Sequence, residues 1–158
     1  MPTVKTVEPP NLFFEDFAEG QEFSTVTKGP MMVGHQVRWA GACDNYDSEF
    51  HHDEHVAKAQ DLPGIILSGP LMASSLLFNG TEHRIDFPFG KATVHGEDEY
   101  EFHEPVIVGD EIAMQMAITD ARLKQGRSGP LGIVVEERRF TNQLGKLCAV
   151  LRTTLIRR

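Results

Sequence analysis

The chain has 158 residues, 41% of them hydrophobic and 24% charged, enough for one compact domain whose core stands without staples. A formal net charge of −8, a pI near 5.3 and the lack of a Lys/Arg cluster interleaved with aromatics argue against nucleic acid as a partner. Cys43 and Cys148 show no metal-type spacing and read as free thiols of a reducing compartment. With no signal-peptide pattern and no apolar run long enough for a membrane, a cytoplasmic protein is expected.

Residues 1–11 are polar and Pro-rich and read as a flexible arm, leaving 12–158 as a single domain that opens with the aromatic-rich FFEDFAEGQEF. After Gly29-Pro30, MMVGHQVRWAGA sets Val33, Val37 and Ala40 at helical spacing and predicts a helix. DNYDSEFHHDEH follows as a loop, packing three histidines and five acids between Asp44 and His55. DEHVAKAQ predicts a short helix. LPGIIL then runs into SGPLMASSLLFNG, where Ser68 can cap a helix, Pro70 suits its first turn and Gly80 can close it. That helix is apolar all round, hence buried. The second half changes period: Ile112, Met114, Met116 and Ile118 alternate with their neighbours, and period two recurs in YEF, GIVVEERRF and LCAVLRTTLI, with the turn NQLG between the last two. The expectation is an α+β domain, a curved antiparallel sheet wrapped around a central apolar helix.

Five stretches in order, FEDFAEGQEF, GPMMVGHQVRWAGA, HHDEHVAKA, GIILSGPLMAS and EFHEPVIVGDEI, resemble the MaoC-like acyl dehydratases, or (R)-specific enoyl-CoA hydratases, of the hot-dog fold. The similarity spans nearly the whole chain. It implies a hydro-lyase acting on acyl thioesters of coenzyme A or acyl carrier protein, with no metal and no cofactor beyond the substrate's own carrier. It also implies a homodimer or a larger assembly of dimers.

The residues carry chemistry that agrees. Adding water across an enoyl thioester needs a base for the water proton, an acid for the alpha carbon and donors for the enolate oxygen. A carboxyl beside an imidazole supplies the first two, each worth ~10²–10⁴-fold. Backbone N–H groups opening a helix supply the third, and Gly69, without a side chain, lets a thioester carbonyl come close, with Ser68 beside it.

The loop departs from the family pattern Asp-x-Asn-Pro-hydrophobic-His-x-Asp. Counted from the downstream side, His51, Asp53 and Ala57 match, His51 is the catalytic imidazole, and Tyr46 occupies the expected aspartate position. Counted by the usual Asp-to-His spacing, Asp47 and His52 match instead, with Glu49 for Asn and Phe50 for Pro. Asp47 with His51 is the preferred pair, and Asp44 and His52 are the alternatives.

Rival readings of the same residues stay open. A solvated acidic loop without chemistry is one; zinc on His51, His55 and Asp53 is another. His35, on the predicted helix, reads as packed or exposed, His95 and His103 as ordinary partly buried strand residues, and Met114 and Met116 as core. Arg122, Lys124 and Arg127 read as a solvated hairpin end that could also meet the carrier's phosphates. The competing functions are a hot-dog thioesterase and a non-catalytic acyl-binding subunit.

Overall fold

The computed structural model describes residues 17–23, 25–43, 49–73 and 93–157. Its frame is a five-stranded antiparallel sheet of β1 (Val26–Lys28), β2 (Thr93–Phe102), β3 (Ile112–Gly126), β4 (Gly129–Asn142) and β5 (Leu147–Arg157). The strand order is β1-β3-β4-β5-β2, so β3, β4 and β5 form a meander and β1 and β2 are the edges. The predicted period of two holds in β3, where Ile112, Met114, Met116 and Ile118 are buried. Across the sheet Met114 lies opposite Phe140 and Phe140 opposite Ala149, and these residues with Leu151, Val26 and Met31 build the core. Register shifts at Ile118/Asp120, Phe140/Thr141 and His95/Glu97 break the ladder, and such bulges bend a sheet.

Three helices and a 3-10 turn accompany the sheet among the described residues. In α1 (Val33–Cys43) the buried positions are Gln36 and Ala40, with Trp39 against the core, whereas Val33 and Val37 are 38% and 48% exposed. The expected face of Val33, Val37 and Ala40 is therefore corrected by a rotation. Trp39 carries more apolar area than either valine, and turning it inward also brings the Gln36 amide to a buried backbone donor. A 3-10 turn (Glu49–His51) leads into α2 (Glu54–Ala59), the predicted short helix. The last helix, α3 (Gly69–Ala73), places Leu71 in the core; its expected continuation to Gly80 lies outside the described residues, as does the 1–11 arm. No described helix is long and apolar enough to cross a membrane.

Glu136 and Arg138 bring two ionisable side chains together on the inner face of β4. Glu136 is fully buried; Arg138 donates to its Oε2 at 2.6 Å, and its Oε1 has no hydrogen-bond partner among the described residues. Burial pushes the Glu136 carboxyl up from the ordinary carboxylate range, against the opposing pull of Arg138. Outside, Arg152 bridges Glu137 at 2.8 Å and Glu99 at 3.5 Å and also holds Glu101.

Candidate active site

Three of the motifs read from the sequence meet at one end of the sheet. Leu67 N–H donates to Val106 C=O at 2.8 Å and Val108 N–H to Ile65 C=O at 2.9 Å, so GIIL and EPVIV form a short antiparallel bridge. Met31 and Gly109 exchange backbone bonds with the same turn: Gly109 N–H donates to Met31 C=O, and Met31 N–H to Asp110 C=O, both at 2.8 Å. The turn itself is shaped by Gly109, at φ 103°, and by the buried Asp110, whose Oδ2 accepts from Ile107 N–H at 3.0 Å and whose Oδ1 accepts from Gln143 at 2.8 Å.

His51 is tied to that bridge. Its Nδ1 lies 2.5 Å from the Ile66 carbonyl, which can only accept, so Nδ1 carries the proton and Nε2 of the neutral ring carries the lone pair. The half-buried ring packs on Phe50 at a centroid distance of 4.3 Å. His52 stands edge-on to it at 6.5 Å. Asp53 acts locally, as the N-cap of α2: its Oδ1 accepts from His55 N–H at 2.7 Å and Val56 N–H at 3.4 Å. His55 is exposed, and among the described residues no three His, Cys, Asp or Glu side chains converge in a manner that could hold a metal ion. Asp44 and Asp47, like Tyr46, lie outside the described residues.

Ser68 and Gly69 stand where the chain leaves the bridge and enters α3. Ser68 N–H donates to Gln36 Oε1 at 2.9 Å, which removes it from any other use, and Ser68 Oγ is buried without a partner among the described residues. Sequence reasoning missed Gln36, because its partner lies 32 residues away and no local pattern marks it. Pro70 has no N–H, so Gly69 supplies the first donor of α3 that is not already engaged among the described residues. A Cβ on Gly69 would lie 2.7 Å from Phe102 Cε1. The Phe102 ring, itself half exposed, thus lies against Gly69 on the Cβ side.

A cavity of about 350 Å³ opens at this point, between Ile66, Leu67, Gly69 and Pro70 on one side and Phe102–Val106 on the other, with Cys148 also lining it. His51 is bonded to Ile66, which lines it, and is not itself a lining residue. The remaining histidines lie elsewhere or play other parts. His35 Nδ1 accepts from Met32 N–H at 3.2 Å, and burial with Lys28 and Arg38 nearby depresses its pKa. His95 is exposed, 3.0 Å from Asp98, and His103, just past the end of β2 and also exposed, lines the cavity, so neither is the partly buried strand residue expected. Cys43 is exposed and Cys148 buried, both unpaired. Arg122, Lys124 and Arg127 sit on the β3–β4 hairpin; Arg122 pairs with Asp120, and none of the three lines this cavity.

A family model described as FAS1-like, dehydratase domain region, matches residues 18–150. No curated protein matches the chain in sequence. Among solved structures it is similar to the monoamine oxidase regulatory protein of Archaeoglobus fulgius (TM-score 0.74, 18% identity, covering 93% of this chain and 94% of that one). It is similar to a MaoC-like dehydratase of Rhodospirillum rubrum (0.71, 23%, 93% and 98%) and to an (R)-hydratase of A. caviae involved in PHA biosynthesis (0.65, 20%, 89% and 97%). These likenesses establish the hot-dog fold.

Proposed function

Since the chain belongs to the FAS1-like dehydratase family, we propose that it interconverts 2-enoyl and 3-hydroxyacyl thioesters, carried on coenzyme A or acyl carrier protein, by adding and removing water. The observation that carries the reading is the bond from His51 Nδ1 to the carbonyl of Ile66, a residue that lines the apolar cavity, which leaves Nε2 as the ring's basic atom.

In this reading Nε2 accepts a proton from water as the oxygen attacks C3 of the enoyl group, and the proton is then available to C2 of the resulting enolate. Asp47, or Asp44 in the alternative register, holds the same water. The Gly69 N–H donates to the thioester oxygen as it gains charge, and the Ser68 hydroxyl is a further polar contact. Arg122, Lys124 and Arg127 are the candidate contacts for the carrier's phosphates. A volume of about 350 Å³ suits part of an acyl thioester. No cofactor enters this scheme.

Crotonyl-CoA tests it directly. Loss of the enoyl absorbance without thiol release is the expected result; release of free thiol would instead establish a thioesterase, and no change across a panel of acyl thioesters of graded length would leave a non-catalytic subunit.

A further inference from the structure

The segment Ile65–Ser68 is held along both of its edges. One edge is backbone: Val108 N–H donates to Ile65 C=O and Leu67 N–H to Val106 C=O, the bonds that flank the bridge between Ile66 and Ile107. Alternation along an extended chain turns the groups of the intervening residues the other way, so Ile66 C=O and Ser68 N–H emerge on the opposite edge. Among the described residues no strand pairs with that edge. Two side chains take its place: His51 Nδ1–H donates to Ile66 C=O, and Gln36 Oε1 accepts from Ser68 N–H at 2.9 Å. A donor for one carbonyl and an acceptor for the N–H two residues on are what a single residue of a parallel neighbouring strand offers. Here the offer is split between α1, which carries Gln36, and the 3-10 turn, which carries His51.

A buried glutamine can serve simply to satisfy a buried N–H, and both ends of this bond are buried, Gln36 at 1% and Ser68 at 7% exposure. That role accounts for the bond but not for its place, on the same edge as the carbonyl that fixes the His51 ring and two residues along from it.

We infer that Gln36 is a positioning residue for His51: by fixing Ser68 N–H it keeps the Ile66 carbonyl aimed at Nδ1, and with it the proton on Nδ1 and the lone pair on Nε2. Without Gln36 Oε1, Ser68 N–H is a buried donor with no acceptor, a state costly enough to draw the segment toward another partner. The Ile66 carbonyl moves with it. A neutral imidazole that loses its acceptor at Nδ1 is free to carry the proton on Nε2 instead, which removes the base from the side that needs it. The effect on turnover rests on the proposed reaction; the clamp itself is read from the His51 ring with no substrate present.

Imidazole nitrogen NMR, at a pH where the ring is neutral, reads the tautomer directly. The wild type should show His51 protonated at Nδ1 alone. Gln36→Leu should give a mixture with the Nε2–H form and lower kcat on crotonyl-CoA about tenfold or more, with little change in KM. Gln36→Glu, which retains an acceptor for Ser68 N–H, should restore the single tautomer. A folded Gln36→Leu that keeps the Nδ1–H tautomer alone would overturn the inference, whatever its activity. A wild type that holds this tautomer yet leaves every acyl thioester untouched would defeat the proposed reaction and leave the clamp standing. If Gln36→Leu does not fold, His51→Ala decides from the other end of the edge: it should speed hydrogen exchange at the Ser68 amide about tenfold or more, and exchange at the wild-type rate would equally defeat the idea.

Discussion

His51 commits Nδ1–H to the Ile66 carbonyl, so its ring orientation and tautomer come from a segment 15 residues away in sequence. His51→Ala should leave the fold intact by circular dichroism and lower crotonyl-CoA turnover by ~10²–10⁴-fold. His52→Ala should cost far less, and whichever of Asp44→Ala and Asp47→Ala adds little to His51→Ala in the double mutant marks the carboxylate that works with it. Gly69→Ala meets the Phe102 ring, an overpacking that should cost about 1–3 kcal/mol. Adding Phe102→Ala should remove that cost in thermal melts, whereas fully additive losses would show that the contact is not the cause. His51 could be singled out in the sequence as a candidate because its neighbours Asp53 and Ala57 carry a pattern. Gln36 could not, since nothing local says that a helical amide will meet the Ser68 N–H across 32 residues.

At the scale of elements, α2 follows the His51 turn directly and depends on Asp53 for its first free N–H groups. Asp53→Ala should lower stability by about 1 kcal/mol, or ~2–4 °C in melting temperature, with a much smaller loss of turnover than His51→Ala. An equal loss of turnover would mean that Asp53 itself meets the substrate. The existence of α2, α3 and the period-two strands followed from caps and alternation. The face of α1 did not, because valines at helical spacing outweigh a glutamine in any apolar count, whereas packing obeys the area of Trp39 and the need of a buried donor.

For the whole molecule, the buried Glu136 sets a pH dependence of known sign. Its carboxyl titrates higher in the fold than in the unfolded chain, so the fold retains a proton the unfolded chain has released. That contribution to stability is fullest below the ordinary carboxylate range and is lost as pH rises through the raised value. As pH rises above the ordinary carboxylate range, the wild-type melting temperature should therefore fall more steeply than that of Glu136→Gln, the titration of all other groups cancelling in the difference. Parallel curves would place Glu136 at an unshifted pKa. The α+β architecture was readable from the switch of period alone, but a buried glutamate in GIVVEERRF was not, since its strand neighbours Glu137 and Arg139 give the same local pattern on the outer face.

The meander of β3, β4 and β5 is continuous in sequence, joined by turns at Gly126–Gly129 and Asn142–Leu147, whereas β2 must find β5 across pairs such as Asp98 and Thr153. Loop closure is cheaper for the first set, which makes it the nucleus that topology favours, with β2 docking late. In kinetic terms, substitutions that weaken the β3–β4 turn should slow refolding, while destabilising changes along β2 should leave the refolding rate nearly constant and accelerate unfolding. Chevron plots of Leu131→Ala and Val94→Ala would read the two cases. A chain ordered in this sequence exposes its acidic edge last, when the rest of the sheet is already closed.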